Sequence, residues 1–340
     1  MIAKLSTVIT HNTVPYQNLA LEELLLREAE EDECILYLWQ NRNTVVLGRN
    51  QNCYAECRAD ALLQDSGFVV RRLSGGGAVF HDLGNLNFTF LMRSENYDID
   101  RQLEVILRAV QSFGIAAEKS GRNDITANGA KFSGNAFYRA DDCRYHHGTL
   151  LLHVDTALLS RYLTVSADKL SANGVQSVHA RVVNLCDLSD KITVPRMRDA
   201  LIAAFSQVYG LPSAPLPSAR VDRARIIALT QKFSSREWIF GHEPDSACVL
   251  RHRFSWGGAE LRLSVASGII KNAVLYTDAM DAALSPVLCG ILIGSEFSAS
   301  GVAQAFRRSA AKPSPESAAL FGILAELAAF MEEWFYAETI

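Results

Sequence analysis

The 340-residue sequence has no apolar run long enough to cross a bilayer: residues 35–39 are too few, and residues 318–331 are interrupted by Glu326. No apolar core follows Lys4 either. Ser6, Thr7, Thr10, His11 and Asn12 stand there instead, so a secretory leader is not expected. An even set of cysteines is also missing. The seven present (Cys34, Cys53, Cys57, Cys143, Cys186, Cys248 and Cys289) are scattered, which argues for reduced thiols and against a disulfide framework. Cys53 and Cys57 form the one close pair, with no second pair or suitably spaced histidines to complete a zinc site. No charge of one sign dominates: the formal net charge of -4 is mild and unsegregated, so a long basic face for nucleic acid is not expected. What these absences leave is a cytoplasmic chain that engages neither membrane nor nucleic acid and is expected to act as a monomer.

What is present is ordinary globular composition. With 49% hydrophobic and 21% charged residues, the chain can bury a real core and divide into about two domains. Hydrophobic periodicity predicts helices over residues 14–27, 101–113, 156–163 and 194–209, the last with Pro195 suited to its first turn. Strands are expected over 35–40, 44–47, 68–72 and 86–92, then over 130–138 and 147–154 across the polar segment 139–144. Residues 210–218, rich in Pro and Ser, have connector composition, and 226–233 is again helical. Beyond Trp238, three alternating runs (249–256, 259–265 and 270–276) and two helical patterns (285–292 and 318–335) form a smaller module. No internal repeat is visible. The division expected is residues 1–244 and residues 245–340.

Three groups of residues carry chemistry. Gly75, Gly76 and Gly77 follow an apolar strand and precede Ala78, Val79, Phe80 and His81, where backbone must turn sharply or approach a ligand closely. A plain glycine-rich turn is the alternative. Arg71 and Arg72 stand immediately before it, and adjacent guanidiniums are most readily held together by a shared anion. No Gly-Lys-Ser/Thr follows and the glycine spacing is wrong for a dinucleotide fingerprint, so a different phosphate-handling geometry is expected, with glycine amides as donors. The second group is Gly121, Arg122, Asn123 and Asp124, followed by Lys131, Phe132, Ser133, Gly134, Asn135 and Ala136. Asp124 is a candidate partner for magnesium or for an ammonium group, or a capping residue. Lys131 and Phe132 should face opposite sides of a strand, one toward a site and one toward the core. In the third group, His146 and His147 likewise point apart, so they do not ligate one metal together, and His81 with Asp82 suits packing or orientation as well as catalysis.

In order along the chain, Arg71-Arg72-x-Ser74-Gly-Gly-Gly-Ala-Val-Phe-His81-Asp82, Gly121-Arg122-Asn123-Asp124, Lys131-Phe-Ser-Gly-Asn-Ala and His146-His147-Gly-Thr-Leu-Leu resemble the bacterial lipoate-protein ligase A family. Tyr16-Gln17-Asn18-Leu19-Ala20-Leu21-Glu22-Glu23, Leu38-Trp39 and Ser177-Val178-x-x-Arg181 extend the resemblance over most of the chain. It implies an α+β fold: a mixed-sheet catalytic domain of the biotin/lipoate ligase type flanked by helices, with a small α+β C-terminal domain. It also implies a two-step reaction, in which lipoate and ATP form lipoyl-AMP with Mg²⁺ present, and the acyl group then passes to a lysine of an acceptor lipoyl domain. Such acceptors belong to 2-oxoacid dehydrogenase complexes and the glycine cleavage H protein.

By the same resemblance, Lys131 is the catalytic residue. Arg72, Gly77, Ala78, Val79, Phe80, Lys131, Ser177, Val178 and Arg181 contact ATP or the adenylate, and Asp124 is the magnesium ligand. Leu19, Leu21, Trp39, Ser74, His81, Asn123, Gly134, Ala136 and His147 surround the lipoyl chain. Residues 169–185 match the adenylate-binding loop but depart from its pattern at Asn173 and at His179-Ala180. Two other readings compete. An ATP-independent lipoyl- or octanoyltransferase of the same superfamily is one, although the octanoyltransferase form needs a cysteine nucleophile after the His147 strand, where none stands before Cys186. The other is a non-catalytic binder of lipoate or lipoyl domains.

Overall fold

The structure is a computed structural model, which describes all residues except 122, 165–181, 242–247, 311–316 and 338–340, and, within helices, the side chains of 299, 310, 317–321, 332 and 335–337. It divides into two compact units: Met1–Leu47, Cys53–Ser74 and Ala78–Phe240 form the first, and Gly48–Asn52, Gly75–Gly77 and Gly241–Ile340 the second.

The strands of the first unit are β1 (Lys4–Ile9), β2 (Glu33–Trp39), β3 (Thr44–Leu47), β4 (Phe68–Arg71), β5 (Val79–His81), β6 (Asn85–Arg93), β7 (Ala117–Ser120), β8 (Asp124–Ala127), β9 (Ala130–Ala140), β10 (Cys143–Leu151) and β11 (Ser213–Pro215). Eight of them form a mixed sheet in the order β11-β1-β2-β6-β10-β9-β8-β7, while β4-β3-β5 make a separate three-stranded sheet. Because side chains alternate along a strand, the large sheet has two differently used faces. Cys34, Leu36, Leu38, Leu86, Phe88, Phe90 and Met92 enter one core, whereas Ile35, Tyr37, Trp39 and Leu91 enter another.

Helices cover both faces. Helix Ile99–Gln111 begins where the Asp98 carboxylate accepts the Arg101 amide, and it buries Leu103, Val105, Ile106, Ala109 and Val110 against the first core. Helix Val194–Tyr209 joins that face, started by the Thr193 side-chain cap with Pro195 in its first turn and ended by Gly210 at φ 69°. Helix Pro15–Glu28 contributes Leu19, Ala20, Leu25 and Leu26 to the opposite core, together with Phe233 from helix Arg223–Ser234. Each fully buried Phe or Leu side chain is worth about 1.5–3 kcal/mol, so these faces supply most of the driving force.

Several expectations are corrected. Residues 210–218 are not simply a connector, because β11 pairs in parallel with β1 at the sheet edge, where Pro215 removes no interior ladder bond. The polar segment 139–144 is mostly strand: β9 and β10 pair from Ala140↔Cys143 onward, and only Asp141 and Asp142 make the turn, Asp141 at φ 53°. Strand β1 and helix Ala299–Ala310 had no expectation at all.

The second unit contains an antiparallel meander of β12 (Cys248–Phe254), β13 (Gly257–Ala266) and β14 (Ile269–Thr277). Gly268 at φ 73° permits the second turn. Leu261, Leu263 and Leu275 pack with Leu288, Phe306 and Leu327 from helices Leu284–Leu292, Ala299–Ala310 and Ser317–Ala337. Within this unit the Gly76 N–H donates to the Ala279 carbonyl at 2.8 Å and the Thr277 N–H donates to Asn50. A Cβ at Gly75 would collide with the Ala279 and Met280 carbonyl oxygens, and Gly76 holds φ 89°, so both positions require glycine. No described helix is long and apolar enough to cross a membrane.

Candidate active site

Lys131 lies where β8 and β9 lose register. The pairs Asp124↔Gly134 and Ile125↔Ser133 are followed directly by Thr126↔Lys131, so Phe132 is the extra residue of a β-bulge. Strict alternation would put Lys131 and Gly134 on opposite faces. The bulge instead turns Lys131 onto the face of Gly134 and Asp124, while Phe132 enters the core beside Ile125 at 0% exposure. Lys131 Nζ stands 2.7 Å from Asp124 Oδ1. It also stands 3.2 Å from where a Gly134 Cβ would lie, so the missing side chain makes room for the ammonium group. The Thr149 hydroxyl accepts the Gly134 N–H at 3.2 Å beside it. Val183 N–H donates to the Lys131 carbonyl, fixing the backbone from its second side. The expected opposition of Lys131 and Phe132 holds, as does Asp124 as an ammonium partner.

Behind the sheet, Asn123 and Asn135 are tied by reciprocal bonds: Asn135 N–H donates to the Asn123 carbonyl at 2.8 Å, and Asn123 Nδ2 donates to the Asn135 carbonyl at 3.3 Å. Asn135 Oδ1 meets His146 Nε2 at 2.8 Å, and Gln102 meets His146 Nδ1. His146 is fully buried among Phe88, Phe90 and Phe137, and that burial pushes its pKa down to about 3. It is a neutral core residue.

His147, one residue on, faces the other way into a buried polar chain. Its Nε2 lies 2.8 Å from Ser74 Oγ and its Nδ1 lies 2.9 Å from Glu22 Oε1. Arg72 Nε donates to Ser74 Oγ at 2.9 Å, and Arg72 Nη1 to the Val46 carbonyl. The Thr89 hydroxyl donates to the same Glu22 oxygen at 2.7 Å, and Trp39 Nε1 donates to Thr89 at 3.1 Å. Ala136 pairs with His147 across β9 and β10, so the cluster and Lys131 share one face of the sheet. Trp39 also meets the His81 ring edge-on at 6.3 Å. His81 Nδ1 contacts Asn41, while His81 Nε2 and Asn87 Nδ2 are buried without a hydrogen-bond partner. Burial first, then the positive Arg72, pushes the His81 pKa down to about 3. Arg72 is lowered to about 10 by burial and remains a cation at neutral pH.

Not every expected residue joins this face in the same way. Arg71 Nε donates to the Trp238 and Ile239 carbonyls while Trp238 Nε1 donates back to the Arg71 carbonyl. The Gly76 amide is already engaged by Ala279. Phe80 is 2% exposed, its ring tilted against Tyr162, and it pairs with Val45 in the small sheet. Val79 pairs with Val46 in the small sheet, Ala78 and Gly77 are half-buried beside it, and Leu19 is buried in the core under Trp39. Leu21 borders a 280 Å³ cleft between helices Pro15–Glu28 and Arg223–Ser234. Ser177, Val178 and Arg181, with the rest of residues 165–181, lie outside the described residues. Glu22, Thr89, Asn87 and Thr149 were not anticipated as site residues. The one signal for Glu22 is an acid three residues after Leu19 on a helix face that is otherwise apolar.

All seven cysteines are free, and the Cys53 and Cys57 sulfurs are 3.8 Å apart. Cys143 and Cys186, the nearest to where a transferase nucleophile would be sought, both have thiol pKa values raised by burial, the reverse of an activated thiolate. Among the described residues no group of three or more His, Cys, Asp or Glu could hold a metal ion.

Comparison with known proteins agrees with this geometry. Residues 14–206 match the lipoyl protein ligase A/B catalytic domain, and residues 243–316 match the bacterial lipoate protein ligase C-terminus. Plasmodium falciparum LipL1, solved in complex with lipoate, is 28% identical, covering 97% of this chain and 99% of its own with a TM-score of 0.83. A bipartite lipoate protein ligase from Thermoplasma acidophilum, described together with its E2 lipoyl domain, is 25% identical over 73% of this chain and 100% of its own, TM-score 0.62. A lipoate-protein ligase A bound with ATP is 26% identical over 71% of this chain and 99% of its own, TM-score 0.59. The chain has the α+β fold of these enzymes and belongs to the lipoyl protein ligase A/B family.

Proposed function

We propose that the chain is an ATP-dependent lipoate-protein ligase of the cytoplasm, acting as a monomer, with residues 1–244 as the catalytic domain and 245–340 as an accessory domain. The observation that carries this reading is Lys131, turned by the Phe132 bulge onto the face of Gly134 and Asp124. In the first step a lipoate carboxylate oxygen attacks the α-phosphorus of ATP and pyrophosphate leaves. A fixed ammonium group beside that phosphorus stabilises the charge that builds on its oxygens, the kind of preorganised contact worth about 10²–10³-fold in rate. In the second step the amine of an acceptor lysine attacks the acyl carbonyl, the bond to phosphate breaks, and AMP leaves. Lys131 serves both steps, because the same phosphoryl and carbonyl oxygens carry the developing charge.

Arg72 offers a cation to the nucleotide phosphate, and Gly77, Ala78, Val79 and Phe80 are the other nucleotide contacts proposed. Trp39, Ser74, His81, Ala136 and His147, with Leu19 and Gly134, enclose the acyl chain, while Leu21 borders the cleft between two helices and Asn123 is tied to Asn135. The unpartnered His81 Nε2 and Asn87 Nδ2 are buried polar atoms of the kind a ligand satisfies. Ser177, Val178 and Arg181 complete the adenylate contacts. Asp124 is a single carboxylate already paired with Lys131, which fits a Mg²⁺ that arrives on the nucleotide phosphates and not one caged by protein. When bound, that ion neutralises phosphate charge, and Asp124 is the side chain that would hold it.

The neighbours solved with ATP and with lipoate, and the ligase described together with its E2 lipoyl domain, support these substrates and partners. The acceptors proposed are lipoyl domains of 2-oxoacid dehydrogenase complexes and the glycine cleavage H protein. The test is lipoate-dependent exchange of labelled pyrophosphate into ATP. Exchange is expected. Its absence, with transfer from supplied lipoyl-adenylate intact, would replace the ligase by an ATP-independent transferase, and binding without either activity would leave a non-catalytic binder.

A further inference from the structure

Glu22 is 1% exposed and its carboxylate lies on no surface a substrate could reach directly, yet two side chains, His147 and Thr89, meet the same carboxylate oxygen. A carboxylate only accepts, so the His147 proton sits on Nδ1 and faces Glu22. On its other side His147 Nε2 meets the Ser74 hydroxyl at 2.8 Å. The same Ser74 oxygen accepts from Arg72 Nε, which can only donate. At the other end, Thr89 donates to Glu22 and receives the Trp39 indole N–H. The chain through His147 and Ser74 thus joins a buried carboxylate to a buried guanidinium.

We infer that Glu22 and Thr89 are positioning residues that act through His147 and Ser74 to hold the Arg72 cation in place for the nucleotide phosphate. This rests on the ligase reading, in which Arg72 meets ATP. A guanidinium as buried as Arg72, at 5% exposure, needs a compensating anion. Burial disfavours its charged form most and Arg71 also opposes it, whereas Tyr145 and then Glu22 favour it. Glu22 and Arg72 are joined through His147 and Ser74, so the carboxylate acts on the guanidinium along this chain. The Trp39 end reaches the proposed acyl pocket, so the same chain ties acyl-chain contacts to nucleotide contacts.

The experiment is a double-mutant cycle on nucleotide binding, measured with a non-hydrolysable ATP analogue so that chemistry does not enter. Glu22→Gln preserves shape and hydrogen-bond acceptance but removes charge, and Ser74→Ala cuts the chain between Glu22 and Arg72. Each is expected to weaken analogue binding about tenfold, with the double variant little worse than either single one. In pyrophosphate exchange the KM for ATP should rise in Glu22→Gln more than kcat falls. Thr89→Val, which removes one donor to Glu22 without touching charge, should show a smaller loss of about threefold and serves if Glu22→Gln does not fold. Fully additive effects of Glu22→Gln and Ser74→Ala, or unchanged binding in both Glu22→Gln and Thr89→Val, would overturn the relay while leaving the ligase reading standing. A wild-type protein that binds no analogue would overturn the ligase reading itself.

Discussion

His146 and His147 are neighbours on β10, and they show how differently the two faces of the large sheet are used. His146 enters a face of Phe88, Phe90 and Phe132, where its two nitrogens are tied to Asn135 and Gln102 and burial keeps it neutral. His147 enters a face that also carries Trp39, Thr89, Ala136 and Gly134, and hands a hydrogen bond to Glu22. One strand thus supplies packing and chemistry from consecutive residues. The comparison teaches that the packed face fixes the strands so that the polar face is held ready before a substrate arrives. It follows that substitutions on the first face should act on stability and those on the second on activity.

The sharpest break between the faces is expected at Lys131. Lys131→Ala should leave the protein folded and reduce both pyrophosphate exchange and transfer from lipoyl-adenylate by at least about 10³-fold. Exchange assays beside a thermal melt check this, and near-normal activity would show that the active centre lies elsewhere. On the packed face, Phe88→Ala should cost about 3–5 kcal/mol in urea unfolding, with unchanged KM for the fraction that remains folded.

Acid should act on both faces alike. His81 and His146 both have pKa values depressed to about 3 from 6.5, so the folded state binds fewer protons than the unfolded chain between those values. The stability they carry is complete above pH 6.5 and is lost as pH falls from there toward 3. The loss is about 2 kcal/mol for each histidine near about pH 5. Urea melts at two pH values measure it, and His146→Gln should remove about half of the dependence. Unfolding that is equally hard at both pH values would contradict the buried neutral state. The smallest effect expected is at Gly134, where Gly134→Ala places a methyl group 3.2 Å from Lys131 Nζ. It should lower exchange by about tenfold through displacement of the ammonium, with a change of under about 1 kcal/mol in stability.

Much of the packed face was legible in the sequence, because alternation in residues 35–40 and 86–92 and the 3.6-residue period of 194–209 are local properties. The motif strings around Ser74, Asp124, Lys131 and His147 also singled out these residues in order, though not their geometry. Less legible were segments whose structure depends on a distant partner. Strand β1 lacks a distinctive pattern and forms because β2 and β11 pair with it on either side. Two adjacent arginines look alike in sequence, yet Arg71 is claimed by carbonyls of residues 238 and 239 and Arg72 by Ser74.

The sequence by itself determined the family, the glycines that must turn, and the opposition of Lys131 to Phe132 and of His146 to His147. These follow from residue type and the two-residue period of a strand. Only the tertiary structure decided that Lys131 shares a face with Gly134 and Asp124, because that depends on a register slip between β8 and β9 which no local period encodes. Only it decided, too, that Glu22 joins His147, 125 positions away, since a helix residue finds its partner through packing against a sheet and not through spacing along the chain.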